Sequence, residues 1–408
     1  MQEEKFIVRE PLLDAQERVL GYELGWQRAD GAGARAEIEA EVEDIRLLVD
    51  LIAAQADDAD SGALLGDQLL FLEAPAALVR EQAFSALPKK RTVLAVRAGE
   101  LTDGETVQAL KALRAQGYGI SLREADPATV DKDLLPLVGH VEIPAAAADF
   151  AERVRRWRAL DLPALVLIAR GLGGWPEYDL CASMGLQAFA GTLYLEPRQG
   201  GRPRELNPAQ TMILRLMDMV KKGVDVKQLE SVLKHDAAIS YKLLRYINSA
   251  GFGLGCEIQS LKHAVTLLGY SPLYRWLALL LATATSTGYS PVLMQTAVIR
   301  GRFAELLGQG FLPKSEAENL FVVGMFSLLD RLLGAPMEAV LEKIQLSGAV
   351  SEALLTRQGI YGPFIALAEA CESHAADIAS MAGALCISPL QVNQAHLSAL
   401  AWAQSLHL

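Results

Sequence analysis

The chain has 408 residues, of which 51% are hydrophobic, enough apolar material for two or three domains with sizeable cores. Its net charge is −11: residues 1–200 hold 21 basic and 33 acidic side chains, and 201–408 hold 17 and 16. That balance lacks the excess of Lys and Arg with which a duplex-binding protein displaces counterions from phosphate, so nucleic acid is not an expected partner. No apolar run reaches the roughly 18 to 20 residues of a spanning helix, and the acidic start Met1-Gln2-Glu3-Glu4 differs from the basic n-region of a secretory signal. The expectation is a cytoplasmic protein with no membrane partner. Cys181, Cys256, Cys371 and Cys386 are widely spaced without a C-x-x-C pair. They read as buried reduced thiols, not a disulfide framework or zinc knuckle.

Residues 1–200 alternate between short apolar strands and helical patterns. The strands are expected at Phe6–Val8, Val19–Leu24, Leu69–Leu72, Thr92–Val96, Gly119–Leu122, His140–Ile143, Ala164–Ile168 and Phe189–Tyr194. Helical periodicity covers Ala36–Gln55, Val107–Gln116 and Pro176–Met184. Eight strands in βα alternation fit a closed parallel barrel, whose strand ends carry the chemistry. Only Arg9–Arg18 separates the first two strands, with Pro11 and Asp14 inside, so they predict a hairpin. The Pro-, Gly- and Arg-rich segment Pro197–Arg204 marks a domain junction.

Beyond the junction the strands cease. Amphipathic helices are expected at Gln210–Lys222, Val226–Lys234, Ala237–Ser249, Leu261–Leu268 and Pro272–Ala284, with more to the terminus. The chain thus divides into residues 1–200, a barrel, and 205–408, an all-α domain. No P-loop, dinucleotide fingerprint, G-x-S-x-G or helix-turn-helix signature appears. Gly171–Gly174 is Gly-rich but lacks the phosphate-loop lysine, and Trp175-Pro176 after it suits a turn and a helix start.

Five segments carry a resemblance. Pro11-Leu12-Leu13-Asp14, Gly21-Tyr22-Glu23-Leu24 and Gly191-Thr192-Leu193-Tyr194-Leu195-Glu196-Pro197 resemble the opening and closing motifs of the EAL family, the cyclic-di-GMP phosphodiesterases. Downstream, residues 236–253 (DAAISYKLLRYINSAGFG) and 258–269 (IQSLKHAVTLLG) resemble the core motifs of the HDOD family of helical signalling modules. The order matches a bacterial EAL–HDOD tandem and implies a modified (β/α)8 TIM-like barrel followed by an all-α HDOD-like domain.

An active EAL site implies acidic and amide ligands around two divalent metals, plus a lysine. Glu23 matches the glutamate of the family's name motif. The substrate-contacting arginine falls at Gln27, and the early glutamine at Glu10. The strand asparagine falls near Glu73 and the next glutamate near Ala95. The consecutive metal-holding aspartates fall at Arg123 and Glu124. The lysine falls near Glu142, with Pro144 at its companion aspartate. The late glutamate falls at Arg170, and the last glutamine at Ala190. No catalytic residue, metal or cofactor is therefore expected, and the chain reads as a non-catalytic signalling scaffold whose partners are other signalling proteins.

Three rival readings stand beside it. The chain could be a cyclic-di-GMP receptor, with Gln27, Arg123 and Arg170 contacting phosphate, or an active phosphodiesterase. Glu23, Glu73, Glu124 and Glu142 could also converge as a different metal site, against the simpler reading of solvated surface carboxylates. In the helical half, His235-Asp236 imitates the metal pair of HD hydrolases, but the other histidines show no matching spacing. Asp236 suits an N-cap for the helix from Ala237. Asn248 and Ser249 close the same motif, and Asn248 is expected to bond backbone internally.

Overall fold

The structure is a computed structural model, described here for residues 5–27, 36–56, 64–196, 208–233, 243, 247–248, 258, 260–283, 291–342, 346–373 and 377–406. Its chain forms two compact units. One comprises residues 1–60, 65–196 and 371–376; the other comprises 61–64, 197–370 and 377–408. One division falls between Glu196 and Pro197. Cys371 joins the first unit through a contact hundreds of positions away in the chain, its carbonyl accepting from the Arg9 N–H at 3.0 Å. Arg9 and Glu372, both in the first unit, form an ion pair at 3.1 Å with each side chain only 1% exposed.

The first unit is a closed barrel of eight strands in sequence order. They are β1 (Ile7–Asp14), β2 (Val19–Trp26), β3 (Leu69–Glu73), β4 (Thr92–Arg97), β5 (Gly119–Arg123), β6 (His140–Pro144), β7 (Val166–Leu172) and β8 (Ala188–Gly191). β1 runs antiparallel to both neighbours and every other pair is parallel. The predicted hairpin is present. Asp14 makes its turn, accepting hydrogen bonds from the N–H groups of Gln16 (2.8 Å) and Arg18 (2.9 Å), the local bonding that suits Asp to turns.

Helices α1 (Ala36–Ala56), α2 (Ala76–Glu81), α3 (Gly104–Gln116), α4 (Phe150–Arg158) and α5 (Trp175–Ser183) connect successive parallel strands, with a 3₁₀ turn at Leu135–Leu137 between β5 and β6. Asp103 caps α3 by accepting from the N–H of Thr106 at 2.7 Å, and α5 begins after the Gly-rich turn, as its Trp-Pro start suggests.

Side chains alternate along each strand, so every second residue faces the barrel axis. Leu12, Phe71, Val93, Ile168, Ala188 and Ala190 form the apolar interior, with Leu69 and Val166 packed against it. Gly21 belongs to this layer because β2 and β3 approach closely there. A Cβ at Gly21 would lie 2.2 Å from the Leu69 carbonyl oxygen.

The second unit is helical throughout its described part. Its helices are α6 (Pro208–Lys221), α7 (Val226–Leu233), α8 (Leu261–Leu268), α9 (Tyr270–Thr283), α10 (Pro291–Gly308), α11 (Lys314–Phe326), α12 (Leu329–Leu333), α13 (Met337–Leu341), α14 (Gly348–Thr356), α15 (Gly362–Ala370), α16 (Ile378–Ala384) and α17 (Pro389–Ser405). α10 and α11 cross at a glycine pair: a Cβ on Gly324 would lie 2.6 Å from the Gly301 Cα. Beside the crossing, Arg300 is 2% exposed and donates to Ser327 Oγ and to Glu369 Oε1, each at 2.8 Å. Arg357 holds Glu369 from the other side at 2.9 Å.

No described helix is long and apolar enough to cross a membrane. The cysteines depart partly from the expectation of burial. Cys181 and Cys371 are buried, but Cys386 is exposed at a turn with φ 55°; Cys256 lies outside the described residues.

Candidate functional site

At the carboxyl end of the barrel the alternation that places Leu69 and Phe71 inside β3 also brings Glu73 to the axis. The same step of two takes β4 from Val93 and Ala95 to Arg97, β5 from Ser121 to Arg123, and β7 from Val166 and Ile168 to Arg170. On β6 it falls at Glu142. On the hairpin, Glu10 and Glu23 sit directly opposite each other. The strands thus carry apolar residues low in the barrel and charged ones at its mouth.

Those charges interlock. Arg123 donates from Nη2 to Glu23 Oε1 and from Nε to Glu142 Oε2, both at 2.7 Å. Arg170 donates from Nη1 to Glu23 Oε2, and to Glu142 Oε2 at 2.8 Å; its Nη2 reaches Glu10 Oε2 at 3.5 Å. Ser121 Oγ donates to the remaining oxygen of Glu142 at 2.7 Å. Glu73 pairs with Arg97 and lies 3.9 Å from Arg123 Nη1, while Arg97 also reaches Glu100 at 3.4 Å. Both oxygens of Glu23 and both of Glu142 therefore accept hydrogen bonds from within the barrel.

The electrostatics follow from this lattice. Burial alone would raise the pKa of Glu23, but the guanidiniums of Arg170 and Arg123 outweigh it and hold the group at about 2. Glu10 moves the other way. Burial raises its pKa beyond what the more distant Arg170 recovers. Burial would lower the pKa of Arg123 and Arg170, yet the surrounding carboxylates raise both, so these guanidiniums are fixed cations.

Of the residues singled out in the sequence, Glu23, Glu73, Arg123, Glu142 and Arg170 converge at the mouth. Ala95 and Ala190 are buried in the strands beneath or beside it. Gln27 is half-buried just past β2, where its N–H donates to the Phe6 carbonyl at 2.8 Å. Glu124 does not join the cluster. Its φ of 54° ends β5, and it is exposed. The expected alternative of four converging glutamates is thus corrected: three of them meet, with Glu10 as the fourth, and arginines lie between them. Among the described residues, no group of three or more His, Cys, Asp or Glu is placed to hold a metal ion.

Arg97 and Ser121 were not anticipated at the site, although alternation along β4 and β5 carries the signal for both.

In the helical unit, Asn248 brackets a backbone segment as expected. Its Nδ2 donates to the Ile258 carbonyl at 2.8 Å and its Oδ1 accepts from the Ile258 N–H at 2.7 Å. Asp236 and Ser249, with His235, lie outside the described residues.

Comparison with known proteins matches residues 206–347 to the HDOD domain. The chain is similar to the uncharacterized protein YuxH of Bacillus subtilis (strain 168), 23% identical over 98% of each chain. It is also similar to the cyclic di-GMP phosphodiesterase CdgJ of Vibrio cholerae serotype O1, 24% identical over 90% of this chain and 84% of the relative. Among solved structures, the EAL enzyme Bd1971, bound to cAMP and cyclic-di-GMP, aligns with 46% of this chain and 61% of its own. The identity is 14% and the TM-score 0.36. The HDOD match falls on the helical half, and the antiparallel first strand, the sequential barrel order and the motifs on β2 and after β8 are those expected of the EAL–HDOD tandem that the sequence resembles.

Proposed function

We propose that the chain is a non-catalytic regulator in cyclic-di-GMP signalling, acting through protein contacts, with a degenerate EAL barrel. The observation that carries this reading is the lattice of Arg123 and Arg170 on both oxygens of Glu23 and on Oε2 of Glu142. Two-metal phosphodiester hydrolysis needs several oxygen ligands on each hard cation and a bound water made nucleophilic between them. At this mouth the carboxylates that could serve are already engaged. A divalent cation about 4 Å from a guanidinium would meet a repulsion on the order of 8 kcal/mol at an effective dielectric near 20. The donor set present does not fit a pair of such ions. The barrel's acidic balance favours a basic partner surface, and the grooves of a helical domain suit a segment of another protein.

The relative CdgJ bears the name of a phosphodiesterase, so catalysis is the reading to test against. Purified protein is titrated with cyclic-di-GMP by calorimetry in Mn²⁺ or Mg²⁺, and the same sample is chromatographed for linear product. Neither heat nor product at high micromolar nucleotide is the expected result. Heat without product would make the chain a receptor, and product would overturn the non-catalytic reading.

A further inference from the structure

The helical unit contains a half-open cavity of about 520 Å³ bordered by α8, α9, α10 and α11, within the size range of small-molecule sites. Its lining combines apolar groups, Leu268, Pro272 and Leu312, with charged ones, Arg275, Arg302 and Glu305. Arg275 grips Glu305 through both terminal nitrogens, at 2.5 and 2.7 Å. Arg302 donates to the same carboxylate at 2.7 Å. Aromatic faces back both guanidiniums: Arg275 Cζ lies 4.1 Å from the Phe321 ring centre, and Arg302 Cζ lies 5.6 Å from that of Trp402. Such stacking holds guanidinium planes in place.

The charges in this cavity do not balance. Two guanidiniums share one carboxylate, Glu305, whose side chain is 4% exposed. Arg302 Nε is buried with no hydrogen-bond partner among the described residues. Lys314, at the rim, forms no ion pair with any described residue, and it opens α11, whose N-cap Pro313 contributes no capping side chain. Glu316 in the first turn answers the positive end of that helix dipole, so the rim's positive charge rests on the ammonium. The other carboxylate of the lining, Glu318, accepts from Ser271 Oγ.

We propose that this cavity binds a small organic oxyanion, a phosphate ester or a carboxylate, whose acidic group meets Arg302 and Lys314 while its apolar part lies against Leu268, Pro272 and Leu312. Guanidinium and ammonium groups recognise both kinds of oxyanion through charge-assisted hydrogen bonds. The aromatic backing and the shared carboxylate keep the arginines oriented before the ligand arrives, which limits the ordering cost of binding. A small-molecule site of this kind would give the helical unit an input independent of the barrel mouth.

The intact protein is titrated calorimetrically at low ionic strength with guanosine 5′-monophosphate, phenyl phosphate and phenylacetate, with guanosine and benzyl alcohol as uncharged controls. At least one anionic probe is expected to bind saturably at one site per chain, and the uncharged controls not at all. Binding only by the phosphates assigns a phosphate ester, and binding only by phenylacetate assigns a carboxylate. Lys314→Gln, at an exposed and unpaired position, should weaken the binding about tenfold, in keeping with one lost charge-assisted contact; Arg302→Gln should weaken it at least as much. No saturable binding by any anion below millimolar concentration overturns the proposal. So does an affinity left unchanged by Lys314→Gln, a variant that decides the matter even where Arg302→Gln fails to fold.

Discussion

Replacing Glu23 by Gln keeps the shape of the residue and removes the charge that two guanidiniums share. In the wild-type barrel Arg170 and Arg123 hold the Glu23 pKa at about 2 against an ordinary value of 4.5. A depressed folded-state pKa contributes stability that is fully present above the unfolded-state value and is lost as pH falls through the folded one. The difference corresponds to about 3 kcal/mol, at 1.36 kcal/mol per pH unit, for a side chain only 19% exposed. Glu23→Gln should therefore destabilise the barrel by about 3 kcal/mol at pH 7. The gap to wild type should hold down to about pH 4.5 and close toward pH 2. Urea unfolding followed across that range measures the gap, and hydrogen exchange in peptides from β2, β5 and β7 places it in the barrel instead of the helical unit. A variant within 0.5 kcal/mol of wild type at pH 7 would refute the argument, as would a deficit that stays constant from pH 5 to pH 2.

Asn248→Ala removes both bonds to the Ile258 backbone; because water can reach this exposed position, the cost should be about 1–2 kcal/mol, read as a lower melting temperature of the helical unit. Gly324→Ala would set a Cβ 2.6 Å from the Gly301 Cα and 2.8 Å from the Arg300 carbonyl oxygen. Parting α10 from α11 should cost about 1–3 kcal/mol, and a variant with wild-type stability would show that the helices do not cross so closely. In native protein, iodoacetamide should label the exposed Cys386 well before Cys371, whose thiol burial pushes up to about 12. Peptide mass spectrometry over time measures both, and equal rates would contradict the assigned burial.

The strands and helices were legible because their cues are local. Apolar runs of three to six residues and helical spacing place the start of every barrel strand close to its observed position. The largest departures are in β1, which continues through Pro11 to Asp14, since an antiparallel partner still pairs there, in β7, which runs past Ile168 to Leu172, and in β8, which stops at Gly191, after which Leu193–Leu195 forms a 3₁₀ turn. The site was partly legible. Aligning motifs brought out Glu23, Glu142, Arg123 and Arg170 as residues of unusual type at strand ends, but not that each arginine bridges two glutamates. That pairing joins positions 19 to 147 residues apart and depends on barrel closure. Glu124 was misplaced by aligning motifs alone: alternation along β5 already turns the neighbour of Arg123 away from the axis, and its positive φ then ends the strand. The Arg9–Glu372 pair, 363 residues apart, has no local signature at all.

If Arg123 and Arg170 stand where a metal pair would have to bind, as proposed, the barrel mouth takes up no Mn²⁺. Electron paramagnetic resonance of intact protein titrated with Mn²⁺ should show only free ion until millimolar concentration, with the same titration for wild type and Glu23→Gln. Stoichiometric uptake of two Mn²⁺ per chain at micromolar concentration, with the spin coupling of a paired centre and its loss in Glu23→Gln, would overturn the proposal.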